Sequence, residues 1–138
     1  MVNGLNPLYK AGTIAWVAML IAAVLNGAFR EMVLVARFGP ISLPLSGISC
    51  AIIFTLITYI MFKCLGGTYT IREVLMLGLV WLLVTVAFEF VFGHYVLGSG
   101  WDELIEAYDV TTGNLWSVLL LFTFFLPLMV SRWLVKSR

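Results

Sequence analysis

Five polar side chains lie within otherwise apolar segments of this sequence, and their types suit chemistry. Asn26, Arg30 and Glu31 lie in the first apolar stretch, whereas Glu89 and His94 lie in the third. Ionisable groups are costly in lipid, so they mark a functional site or a contact needed for assembly. A guanidinium can bind an anion, and a carboxylate and an imidazole can exchange protons near neutral pH. We therefore predict that these five residues form one intramembrane polar cluster.

A purely structural explanation of the same residues stays open. At about 1.5 Å of rise per residue, Arg30 and Glu89 are expected at similar depths, where they can form a direct ion pair. Such a pair can fix helix packing without doing chemistry, and His94 then only reaches the headgroup region. Glu31 can instead extend outward to water together with Arg37. With one histidine and no cluster of cysteine and histidine, the sequence predicts no metal and no cofactor.

The composition indicates that most of the surface contacts lipid. The chain has 138 residues, of which 62% are hydrophobic and 11% charged, and its mean hydropathy is +1.07. A soluble fold of this size would expose apolar patches that aggregate. The formal net charge of +1 offers no basic surface for nucleic acid. We predict a single membrane domain, 1–138, whose main partner is the lipid bilayer.

Four apolar stretches reach the roughly 20 residues that a helix needs to cross the hydrocarbon core. Backbone polar groups in lipid must bond within their own segment, which favours helices. The predicted fold is therefore an all-α membrane protein, a four-transmembrane-helix bundle. Its predicted membrane helices lie at about 11–36, 44–64, 71–97 and 114–135.

The connection 98–113 also carries a helical pattern. Apolar residues recur there at helical spacing and acidic residues fill the other positions, which predicts a short amphipathic interfacial helix at about 101–108. Thr70 and Glu73 match a capping box, so the third membrane helix is expected to begin there. Pro127 falls inside the fourth helix, where it removes one backbone hydrogen bond and is expected to kink it.

The distribution of basic residues predicts the orientation. With both termini in the cytoplasm, six lysines and arginines lie on the cytoplasmic side and two on the outer side, which agrees with the positive-inside rule. The acidic 98–113 connection is then outside, and the polar cluster lies in the outward half of the bundle. The six are Lys10, Lys63, Arg72, Arg132, Lys136 and Arg138, and the two are Arg30 and Arg37.

Two stretches carry a resemblance to a known group. Asn26-Gly-Ala-Phe-Arg30-Glu31 and Phe88-Glu-Phe-Val-Phe-Gly-His94-Tyr95, followed by Trp101 and Trp116, resemble small four-helix inner-membrane proteins of bacteria. Of the two stretches, the second, with the pattern FEFxFGHY, is the more specific to this group. This resemblance implies a bacterial inner-membrane location and brings no known activity with it.

Three classes of function remain open from the sequence. The first is small-solute or ion handling, with Arg30 as an anion contact and with Glu89 and His94 as proton-exchanging groups. The second is a lipid- or envelope-modifying enzyme whose polar cluster meets headgroups, and the third is a noncatalytic accessory subunit of a larger membrane complex. Expected partners are a small anionic solute or a lipid headgroup. Because one chain of four helices has little room for a transport path, the first class also implies a homo-oligomer.

Overall fold

Helices account for all the regular structure in the described part of the chain. The computed structural model describes residues 7–66, 69–106, 108–109 and 116–137, with side chains except at 116 and 135–137. Two π-helical segments, Arg30–Leu34 and Phe92–Val96, and a 3-10 turn, Gly39–Ile41, connect or extend the α-helices. The α-helices are α1 (Pro7–Phe29), α2 (Val35–Phe38), α3 (Ser42–Leu65), α4 (Ile71–Val91), α5 (Trp101–Glu106) and α6 (Trp116–Ser137).

Three long apolar stretches of helix have the length and composition to cross a membrane. They are Pro7–Leu65, Ile71–Val96 and Ser117–Leu134, with mean hydropathies of 2.1, 2.4 and 1.8. The first is a bent helix of 59 residues that contains α1, α2 and α3. By the length and hydropathy of its helices the chain is a multi-pass membrane protein, and the all-α class predicted from the sequence is confirmed.

The bent helix reverses its direction at Gly39. This residue has φ +61° and ψ −129°, a conformation that glycine adopts without the strain of a Cβ atom. Pro40 follows, and its fixed φ suits the first turn of the new helical segment. As a result α3 returns along α1, and the two helices pack over much of their length.

The remaining helices complete a bundle around α3 and α1. Two hydrogen bonds join α1 to α4, from Trp81 Nε1 to the carbonyl of Gly12 at 3.0 Å and from Trp16 Nε1 to Thr85 Oγ1 at 2.9 Å. Both pairs are 69 residues apart, so α1 and α4 run in the same direction. The last helix, α6, packs against both α4 and α3.

The observed ends of the helices differ from the predicted ranges at several points. The first helix begins at Pro7, four residues before the predicted start at 11. The short helix α5 ends at Glu106, and position 107 of the predicted interfacial helix lies outside the described residues. So do positions 114 and 115, where the fourth helix was expected to begin. The predicted single domain over 1–138 stays a prediction.

Two local signals behave as the sequence predicted. Thr70 and Glu73 form a complete capping box at the start of α4, because each side chain accepts a hydrogen bond from the backbone N–H of the other. These bonds satisfy N–H groups that have no partner within the helix. Pro127 lies inside α6 and is fully buried. The capping box and the position of Pro127 inside the last helix are confirmed, and the kink at Pro127 stays a prediction.

Candidate functional site

Three of the five predicted site residues lie together between α1 and α3. Ser46 donates a hydrogen bond to Asn26 Oδ1 and accepts one from Arg30 Nη1 at 3.3 Å. Arg30 Nε also contacts Glu31 Oε1 at 3.3 Å, in an ion pair that is exposed on its carboxylate side. We call Asn26, Arg30, Glu31 and Ser46 the Arg30 cluster. It links the end of α1 to the beginning of α3 through polar contacts.

The Arg30 cluster continues the inward face of both helices. On α1 the buried residues Gly12, Ala15 and Met19 are followed at helical spacing by Asn26 and Arg30. On α3 the buried face begins with two serines and then becomes apolar through Cys50 and Phe54. The contact between the two helices is therefore apolar near the start of α1 and polar near its end.

Two hydrogen bonds hold the guanidinium of Arg30 in place, and its other N–H groups are available to bind a ligand. Of its five N–H groups, Nε uses one on Glu31 and Nη1 uses one on Ser46. Within the described residues the other three have no hydrogen-bond acceptor, and the side chain is 29% exposed. A fixed guanidinium with free donors is a suitable contact for an oxyanion.

Each of the two π-helical segments contains ionisable residues predicted for the site. Arg30 and Glu31 open the first segment, and His94 lies in the second. In a π-helix the N–H bonds the carbonyl five residues back, as Val35 does with Arg30 and Leu97 does with Phe92. Such wide turns are rare and occur frequently at functional sites. They change which face of the helix the following residues occupy.

The structure places His94 in an aromatic cap at the end of α4. Its ring stacks on Trp101 with centroids 3.8 Å apart, and Phe90 stacks on Trp101 and Tyr108. His94 Nδ1 lies 2.9 Å from the carbonyl oxygen of Ser99. Because a carbonyl only accepts, Nδ1 is the donor, which leaves Nε2 of the neutral ring as a proton acceptor. The cap thus fixes one tautomer of the histidine.

Glu89 lies by itself among the described residues. It is half-buried on α4, four residues after Thr85, whose hydroxyl binds Trp16. Within the described ranges its carboxylate forms no hydrogen bond and no ion pair. The same ranges contain no group of three histidine, cysteine, aspartate or glutamate side chains that could hold a metal ion.

The structure contradicts the direct ion pair that was predicted between Arg30 and Glu89. The two hydrogen bonds between α1 and α4 set residues 69 apart at equal height, so Glu89 lies level with position 20 of α1. That position is ten residues before Arg30, or about 15 Å along the axis of the continuous helix. Similar depths are expected only if the first and third membrane helices begin at the same depth, whereas the observed register is set by the hydrogen bonds of Trp16 and Trp81. Arg30 pairs with Glu31 instead.

Sequence reasoning left three residues of this region out of the cluster. Ser42 and Ser46 are each 2% exposed and lie on one face of α3, one turn apart. The third residue is Trp101, whose ring stacks on that of His94. Ser42 and Ser46 are four residues apart in the sequence, as are Asn26 and Arg30. This shared spacing was a signal that could have predicted that the two serines lie in the same region. The contact of Trp101 depends on the fold of α5 back onto α4, which no spacing shows.

Comparison of the chain with known protein families, with curated proteins and with solved structures found no match. The site therefore has to be interpreted from its own chemistry.

Proposed function

We propose that the chain crosses the membrane four times, with α1, α3, α4 and α6 as the crossings. The lengths of α1 and α3, 23 and 24 residues, support two crossings within the bent helix, since each is long enough for the hydrocarbon core. The distribution of lysine and arginine supports cytoplasmic termini. In line with the resemblance described above, we place the protein in a bacterial inner membrane, with α5 at the outer interface.

The function we propose is the handling of a small anionic solute through the polar outward half of the bundle. Arg30 provides the anion contact, and Glu89 and His94 exchange protons along the path. The observation that carries this proposal is the guanidinium of Arg30, which is anchored on Glu31 and Ser46 and has three N–H donors without an acceptor in the described part of the chain. A homo-oligomer would supply the remaining wall of the path, because four helices enclose little space.

A noncatalytic accessory subunit is the second candidate. It is favoured by the fact that the hydrogen bonds of Arg30 are made within the chain, to Glu31 and Ser46, as expected of a packing device. The two candidates differ in what Glu89 and His94 do, because only the first gives these two residues a proton to exchange.

Glu89→Gln and His94→Asn are expected to separate the two candidates. Both changes remove titration. Glu89 has no charge partner among the described residues, so the melting temperature of Glu89→Gln in detergent should stay close to that of the wild type, whereas His94→Asn loses the ring that stacks on Trp101 and should melt at a somewhat lower temperature. In liposomes that contain a pH-sensitive dye, an inward gradient of phosphate or sulfate should move protons with the wild type. Each variant should abolish that signal.

The control for this assay is Glu103→Gln, which removes an exposed carboxylate on α5 and should leave proton movement unchanged. Wild-type liposomes that respond no faster than empty ones would contradict solute handling and favour the accessory subunit. Equal activity of wild type and Glu89→Gln would remove Glu89 from the path.

A further inference from the structure

An aromatic and basic surface patch lies between α3 and α6, at the end of the bundle opposite the Arg30 cluster. The rings of Tyr59 and Trp133 are tilted by 48° with their centroids 5.6 Å apart. Lys63 Nζ lies 6.0 Å from the centroid of the Tyr59 ring, where the face of the ring attracts a cation. We call Tyr59, Lys63 and Trp133 the Lys63 patch.

The Lys63 patch lies at a membrane interface. The helix α3 is continuous from Ser46, which contacts Arg30, to Lys63. At about 1.5 Å of rise per residue these two positions of α3 are about 26 Å apart along its axis, close to the roughly 30 Å of a hydrocarbon core. Tyrosine and tryptophan are enriched at such interfaces, and a lysine near a helix end extends its ammonium to the headgroups. The patch therefore reaches the headgroups of the leaflet opposite the Arg30 cluster.

The positive charge at this end of the bundle is not balanced by acidic side chains of the described residues. Four exposed basic residues lie there, namely Lys10, Lys63, Arg72 and Arg132. The one acidic residue among the described residues at this end, Glu73, accepts the backbone N–H of Thr70 in the capping box. Lys63 itself forms no ion pair within the described ranges. Anionic lipids supply the missing counter-charge, because their surface potential attracts basic residues at the membrane boundary.

Apolar side chains continue the Lys63 patch toward the middle of the membrane. Leu56 on α3 and Met129 on α6 are exposed and lie about one turn before Tyr59 and Trp133. The ring of Trp133 is itself 58% exposed, so it is available to an acyl chain. The hydroxyl of Tyr59 forms no hydrogen bond within the described residues and can donate one to a phosphate oxygen. Polar donors above an apolar surface match the two parts of a phospholipid.

We propose that the Lys63 patch binds one anionic phospholipid. Lys63 and the hydroxyl of Tyr59 hold its phosphate, and Trp133 and Met129 lie along an acyl chain. A zwitterionic phospholipid presents the same phosphate, but the basic residues at this end of the bundle repel its cationic headgroup, so it binds more weakly. This inference goes beyond the proposed function. With the orientation proposed above, the lipid belongs to the cytoplasmic leaflet.

Native mass spectrometry of the purified full chain in detergent tests the proposal. The probes are phosphatidylglycerol and phosphatidylcholine with identical acyl chains, offered in equal amounts, so that only the headgroup differs. We expect the wild type to retain one phosphatidylglycerol about fivefold more often than one phosphatidylcholine, as the attraction of one lysine to an anionic lipid predicts. Equal retention of the two lipids would overturn the proposal.

Substitutions at Lys63 separate a defined site from the general positive charge of this end. Lys63→Gln should bring the retention of the two lipids within about twofold of each other, whereas Lys63→Arg keeps the charge and should keep the preference. Tyr59→Phe keeps the ring and removes the hydroxyl, so it should lower the preference by about half. The matched control is Lys10→Gln, which removes an exposed lysine of α1 at the same end and should leave the preference nearly unchanged. Equal losses in Lys63→Gln and Lys10→Gln would contradict a site at Lys63.

Free phosphate and the proposed function are distinguished by separate results. Excess inorganic phosphate should leave the lipid bound, because it has no acyl chain to contact Trp133 and Met129, and displacement of the lipid would overturn the choice of phospholipid as the ligand. Binding in detergent depends neither on which leaflet the patch faces nor on proton movement near Arg30. Failure of the proposed orientation or of solute handling therefore leaves the expected lipid preference unchanged.

Discussion

Gly78→Val is expected to prevent stable folding of the bundle. A Cβ atom on Gly78 would collide with the backbone carbonyl of Phe124, because α4 and α6 approach each other closely there. Small residues at such crossings allow close helix packing in membranes. A backbone carbonyl cannot rotate away as a side chain can, so the cost should exceed the 1–3 kcal/mol that is usual for an overpacked core. The measurement is the yield and melting temperature of protein purified in detergent.

The matched control is Gly27→Val on α1. There an added Cβ meets only Arg30 Nη2, at an ordinary distance of 3.8 Å. This variant should be purified in normal yield with a melting temperature near that of the wild type. If Gly78→Val is as stable as Gly27→Val, the close approach of α4 to α6 at this position is wrong.

Trp81→Ala should show the second large effect. Trp81 is 2% exposed and its indole N–H binds the carbonyl of Gly12, so the substitution leaves a large cavity and removes a contact between α1 and α4. Replacing a buried aromatic residue by alanine commonly lowers the free energy of unfolding by about 3–5 kcal/mol. Trp81→Phe keeps most of the volume and should lose only about 1 kcal/mol with the hydrogen bond. Chemical unfolding in mixed micelles measures both values.

Leu83→Ala serves as the control for this series. Leu83 lies two residues further along α4 and is mostly exposed on the outer surface of the bundle. Its truncation should change stability by a few tenths of a kcal/mol, in the range usual for surface substitutions. Equal losses in Trp81→Ala and Leu83→Ala would mean that Trp81 faces outward.

The sequence predicted those features that depend on local chemistry. Apolar length predicted the long helices, and the spacing of Thr70 and Glu73 predicted the capping box that starts α4. The grouping of Asn26 and Arg30 on one face also followed from their spacing of four, and both contact Ser46. In each case the physical cause lies within a few residues along the chain.

Features that depend on helix register could not be predicted in this way. The depth of Glu89 relative to Arg30 is set by the contacts of two tryptophans, which stagger α1 against α4. Counting residues from the helix starts assumes that both helices begin at the same depth, and the two residues therefore lie about 15 Å apart instead of at similar depths. The π-helical segments at Arg30–Leu34 and Phe92–Val96 have no sequence signature that distinguishes them from α-helix. Each segment rotates the residues that follow it about the helix axis. The neighbours of Glu31 and His94 could therefore be identified only from the structure.

The central claim is that the Arg30 cluster is open to the outer solution. Gly27→Cys, made in a background of Cys50→Ser and Cys64→Ser, tests it directly, because a side chain at this position fits beside the guanidinium without a clash. A small, negatively charged, membrane-impermeant thiol reagent is added to intact cells. A cysteine in place of Val24, which is exposed on the lipid-facing surface of α1, serves as the control. We predict rapid labelling of Gly27→Cys from outside, slowed when Arg30 is also replaced by glutamine, and no labelling at position 24. Labelling of Gly27→Cys only after the cells are opened, or not at all, would contradict an outward-facing anion site.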